Sequence, residues 1–90
     1  MPILKRAYTI KADGTEEELN HQPSLSEAQK IVDGYVEFVR CPTTPVKVLV
    51  VNEDGIPRRL PFNERASLLY GRGKIVGDVI VLEGWKTVKS

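Results

Sequence analysis

Ninety residues with thirteen Lys+Arg against twelve Asp+Glu, a formal charge of +1, exclude the extremes of function. A nucleic-acid binder usually shows a basic excess and a DNA mimic a large acidic one, and this chain has neither. A composition 41% hydrophobic and 28% charged is that of a folded chain, and this length suits one domain, residues 1–90, with a two-layer core as its ceiling.

In chain order, Ile3 to Lys11 reads as a strand, with Leu4, Tyr8 and Ile10 on one face and Arg6 as the exception there. Asp13-Gly14 is a turn signal. The polar stretch "TEEELNHQP" that follows has no convincing period and reads as a short returning strand or a loop.

"PSLSEAQKIVDGY" carries the best helix signal. Ser24 and Glu27 stand at capping-box spacing, Leu25, Ala28 and Val32 with Ile31 form an apolar stripe, and Gly34 occupies the C′ position. The helix is expected over about residues 25–33.

"YVEFVRC" reads as a strand that "CPTTP" breaks, because proline donates nothing to a ladder. "VKVLVVN" is almost wholly apolar, as a central strand covered on both sides should be. "NEDG" turns the chain and "IPRRLP" is expected to return as an edge strand. Asn63 caps a second, short helix, Glu64 to Tyr70, with Ala66, Leu69 and Tyr70 buried and Gly71 at its end. "IVGDVIVL" is the last strand, and Trp85 in the tail 83–90 should pack back on the sheet. The reading is an α+β fold, an antiparallel or mixed sheet of about four to six strands with one main helix and a short second one.

Little in the chain carries chemistry. Gly71, Gly73 and Gly77 fit neither a P-loop nor a dinucleotide fingerprint, and the helix precedes them, so its negative end faces them. They read as a C-cap, a turn and a bulge. A better anion site is the start of the second helix, where Asn63 stands beside Arg58, Arg59 and Arg65. His21 is the only histidine, and Ser24 and Ser26 near it serve better as caps than as triad members. Cys41, the only cysteine, excludes an internal disulfide, reads as packing and fits a reducing, cytoplasmic setting. Glu16, Glu17 and Glu18 read as a solvated surface. The aromatic residues are too scattered for an RNA-stacking platform. No signal peptide or membrane span is expected, since no apolar run approaches the roughly 20 residues a bilayer requires.

"IVDGYVEFV", "VLVVNEDG" and "LPFNERASLLYGRGKIVGDVIVL" together resemble a family of small domains of unknown function common in phages, plasmids and other mobile elements. Its pattern falls on Gly34, Tyr35 and Glu37, on Asn52, Glu53 and Gly55, on Leu60, Pro61, Asn63 and Ala66, and on Ile75 to Val81, covering about residues 24–82. Arg59 departs from it, standing where such proteins often show Gly. The resemblance supplies no catalytic residue and no cofactor. It singles out Glu37, on a strand otherwise rich in apolar groups, and the pair Asn52-Glu53, which is more polar than a turn requires.

The resemblance implies a non-enzymatic accessory protein of the host bacterial cytoplasm, one that counters a defence. It would sequester a small anionic, nucleotide-like ligand or block a host protein. A module binding nucleic acid or ribonucleoprotein is the alternative. Self-association through an edge strand, "IPRRLP" or the last strand, also fits so small a core.

Overall fold

The computed structural model describes residues 6–42 and 47–84. The elements are β1 (Arg6–Ile10), β2 (Glu16–Leu19), α1 (Leu25–Val32), β3 (Val36–Arg40), β4 (Lys47–Asn52), α2 (Glu64–Tyr70) and β5 (Val79–Glu83). The strands form one antiparallel sheet in the order β2-β1-β5-β4-β3, so the fold is α+β.

The stretch after Gly14 is a strand. Lys11 N–H donates to the Thr15 carbonyl and Gly14 N–H to that of Lys11, both at 2.8 Å. Asp13 Oδ1 accepts the Thr15 N–H at 2.9 Å. This turn sets β2 against β1 from Ile10↔Glu16 to Ala7↔Leu19.

Both faces of the sheet are apolar because β4 and β5 are nearly continuous runs of Val, Leu and Ile, and each face needs a cover. On one face Tyr8, Ile10, Leu49, Val51, Val79 and Val81 pack with Ala66 of α2 and Ile75. On the other, Ala7, Val50, Ile80 and Leu82 pack with Ala28 of α1. The molecule therefore has three layers where its length suggested two. Burying one such aliphatic side chain contributes about 1.5–3 kcal/mol, so the two clusters hold the fold together from both sides.

The helix ends follow their caps. Ser24 Oγ accepts the Glu27 N–H (3.1 Å) and Glu27 Oε1 accepts the Ser24 N–H (2.8 Å), the reciprocal box the spacing predicts. α1 stops one residue early, because Asp33 rather than Gly34 takes the left-handed conformation (φ 64°, ψ 46°). Of the expected stripe Ala28 and Val32 are buried and Ile31 is half-buried, while Leu25 is exposed. In α2 Ala66 is fully buried, Leu69 and Tyr70 are half-buried, and Gly71 ends the helix at φ 76°.

Two expectations are corrected. "IPRRLP" is not an edge strand: residues 53–59 are consecutive turns. Arg58 N–H bonds to the Asp54 carbonyl, Arg59 N–H to that of Ile56 and Leu60 N–H to that of Gly55, so the segment coils on itself. At its end the Pro61 carbonyl accepts the Gly77 N–H at 2.7 Å, and the next residue, Phe62, forms an isolated bridge with Val76. The last strand is not an edge either, because β5 lies between β1 and β4. The sheet edges are β2 and β3. Trp85 lies outside the described residues.

Candidate functional site

The residues singled out in sequence fall into three places, each fixed by a different local demand. The first is the C-terminus of α1, where helical carbonyls lack partners of their own. Asn52, at the end of β4, donates from Nδ2 to the carbonyls of Val32 (2.9 Å) and Asp33 (3.0 Å). Its Oδ1 accepts the Asp54 N–H at 2.7 Å, which starts the following turns. Arg58 donates from one terminal nitrogen to the Asp33 carbonyl and from the other to Asp33 Oδ2 at 3.1 Å. A cation here also complements the negative end of the helix. One amide and one guanidinium thus tie α1, β4 and the 53–59 turns together.

The second place is the start of α2. Asn63 is fully buried, at 0% exposure. Its Oδ1 accepts the Ala66 N–H at 3.0 Å, the cap that the sequence predicts. Its Nδ2 donates to the carbonyls of Ile10 (2.9 Å) and Gly77 (2.8 Å). The whole carboxamide is engaged within the fold. Arg65 points from the same helix to Glu16 of β2, with Nε at 3.1 Å from Oε2. The structure therefore separates Arg58, Asn63 and Arg65: each has its own partner, and they do not converge on one anion-facing pocket.

The third place is open surface. Arg59 is exposed in the left-handed conformation at φ 58° and makes no side-chain hydrogen bond or ion pair with a described residue. Glu37 is exposed on β3, across from Val51. On the loop with Arg59, Ile56 is 62% exposed and Phe62 51%. Sequence reasoning missed these two apolar residues, although an Ile and a Phe inside a turn-rich stretch were signal enough. It missed Asp33 as well; an Asp before Gly tolerates a left-handed turn, and the helix end turns there.

Several other ionisable groups pair within the fold. His21 is exposed, with Nδ1 2.7 Å from Asn20 Oδ1 and Nε2 3.2 Å from Glu27 Oε1, beside the cap of α1. Lys47, Glu83, Arg6 and Glu18 pair across neighbouring strands. Arg6 also lies over the Tyr8 ring at 4.1 Å, and burial pushes the Tyr8 hydroxyl up from its ordinary value. Cys41 is buried. Among the described residues no group of His, Cys, Asp and Glu is gathered to hold a metal ion, and no helix is long and apolar enough to cross a membrane.

With this geometry in place, comparison with known families is decisive on one point. A family model matches residues 5–88. The chain belongs to that family, DUF3846, described as a domain of unknown function. The DUF3846 match is longer than the 24–82 core marked by the sequence motifs, taking in β1, β2 and the tail. No curated protein and no solved structure matches the chain.

Proposed function

We propose that the protein is a non-enzymatic accessory binding protein that docks on another protein through the loop of residues 53–62. The observation that carries this is the backbone of Arg59. A left-handed conformation costs a non-glycine residue about 1–2 kcal/mol, and strain of that kind persists where the surroundings enforce it and often where it serves a function. The loop is firmly held beneath, by Asn52, by the Arg58–Asp33 pair and by Leu60. In the same loop Arg59, whose side chain bonds no described residue, is exposed along with Ile56 and Phe62. An arginine beside large apolar groups on a rigid support is the composition of an interface centre.

The resemblance to domains of phages and plasmids supports a host defence protein as the target, met in the bacterial cytoplasm. Protein docking is favoured over a small anionic ligand because Arg58 and Arg65 are already paired with carboxylates and Asn63 is buried.

Affinity capture from a bacterial lysate, read by mass spectrometry, tests the proposal with Arg59→Gly and Ile56→Asp. Both variants should fold and lose the captured protein. Capture undiminished in both would sink the docking loop. Thermal-shift and gel-shift arms with nucleotides, DNA and RNA separate the rivals: stabilisation by a nucleotide reassigns the loop to a small anion, and binding that falls steeply with salt reassigns it to nucleic acid.

A further inference from the structure

The two edges of the sheet differ in chemistry. β2 presents Glu16, Glu17 and Glu18 in succession, and a row of like charges blocks pairing with another copy of itself. β3, Val36-Glu37-Phe38-Val39-Arg40, carries one acid and one base and leaves Phe38 42% exposed. No described strand pairs with its outer side.

The bonding of β3 to β4 fixes which backbone groups face outward. The Tyr35 carbonyl accepts the Glu53 N–H at 2.8 Å, and Cys41 N–H donates to the Lys47 carbonyl at 3.2 Å. Bonded residues alternate along an antiparallel strand, so Glu37 and Val39 also turn their N–H and C=O toward β4. Val36, Phe38 and Arg40 turn theirs outward.

We propose that this edge pairs antiparallel with β3 of a second copy, about a two-fold axis at Phe38. Only that register suits the sequence. Centred on Phe38, the outward groups of Phe38 meet those of its symmetry mate, and Val36 meets Arg40, so Val36, Phe38 and Arg40 all find partners. Centred on Val39, Val36 would face Pro42, which has no N–H to give. Centred on Glu37, two carboxylates would stand directly opposite each other. In the Phe38 register the two rings are cross-strand neighbours, and each Arg40 lies diagonal to the other copy's ring, within reach of its face. The contact is isologous and closes as a dimer, joining two sheets into one.

A pairing of two five-residue strands is small for a stable interface, so the dimer forms with rising concentration. Sedimentation across a dilution series of the whole chain should show the mass rising from 10.1 kDa toward twice that value. Hydrogen exchange read at the same concentrations should slow at the amides of Val36, Phe38 and Arg40. Phe38→Asp, which opposes two carboxylates on the axis, should hold the chain at the single mass with unchanged circular dichroism. Glu17→Lys on the other edge should leave the dimer intact. A single-chain mass at every concentration, or a doubled mass with those three amides unprotected, overturns the proposal. So does protection that appears only when a different protein is added, which assigns the edge to that partner.

Discussion

Asn52 occupies the space that a side chain on Gly34 would need. A β-carbon built on Gly34, whose φ is 157°, would stand 2.7 Å from Asn52 Nδ2 and 3.1 Å from a terminal nitrogen of Arg58. The glycine is the opening through which both side chains reach the end of α1. Gly34→Ala should therefore cost about 1–3 kcal/mol, the range for strained backbone and displaced buried polar groups. Asn52→Ala should cost a similar amount, since it leaves the buried Val32 carbonyl without its partner. In the double variant the two costs should fall short of their sum, because both substitutions break one contact. Urea unfolding of the single and double variants measures this, and strict additivity would contradict the shared opening.

Asn63 should be the most sensitive polar position in the chain. Asn63→Ala removes a helix cap, about 1 kcal/mol, and takes the buried amide donor away from the Ile10 and Gly77 carbonyls, at about 1–3 kcal/mol for buried polar groups that lose a partner. Asn63→Asp keeps the acceptor for Ala66 but replaces the donor with a buried charge, and should cost about 3–5 kcal/mol near neutral pH. Thermal melting orders the two variants. If the aspartate proved as stable as wild type, the donor half of the carboxamide would be irrelevant.

Arg59→Gly should make the protein more stable by about 1–2 kcal/mol, because glycine adopts the left-handed conformation without the clash that arginine suffers. The gain should coincide with the loss of capture expected for the docking loop, so that stability and binding move in opposite directions. A melting temperature that fell in this variant would mean that the arginine side chain supports the fold.

Arg65→Ala and Arg58→Ala should differ. Arg65 joins Glu16 across exposed surface, and such a pair contributes about 0–1 kcal/mol. Arg58 also bonds a backbone carbonyl at the end of α1, so its loss should increase hydrogen exchange across residues 53–59 while leaving β2 unchanged. Equal exchange profiles for the two variants would remove the distinction.

The Ser24 N–H first, and His21 second, hold the Glu27 carboxyl below its ordinary range. A carboxyl lowered on folding stabilises the protein above its unfolded value, about 4.3 for Glu. That contribution is lost as pH falls from there through the folded value. The stability gap between wild type and Glu27→Gln, read from urea midpoints, should therefore be widest above about pH 5 and narrow in acid. A gap constant with pH would show that the charge contributes nothing to the cap.

Local signals were legible in the sequence and long-range ones were not. Ser24 with Glu27, and Asn63 with Gly71, mark helix ends because capping chemistry acts within four residues. Apolar runs identify β4 and β5 as buried. They do not say which is central, since strand order is set by contacts far apart in the chain. "IPRRLP" misled for a related reason: a strand was expected to return after the "NEDG" turn, yet Pro57 and the turn-forming Asn52 side chain keep the chain turning. Among the candidate residues, Arg58, Asn63 and Arg65 stand close in sequence, which suggested one site. Their separate partners, Asp33, the Ile10 and Gly77 carbonyls, and Glu16, come from elsewhere in the chain.

The position of β5 has a kinetic consequence. β1 with β2, and β3 with β4, are neighbours in sequence and each can zip as a hairpin while the chain is still being made. Neither hairpin touches the other in the sheet; β5, which follows both in the chain, is the slat between them. Until it arrives the nascent chain holds two half-sheets with open inner edges, and folding waits on contacts of high sequence separation. A released chain truncated before Val79 should be protease-sensitive, and one extended through Glu83 should be resistant.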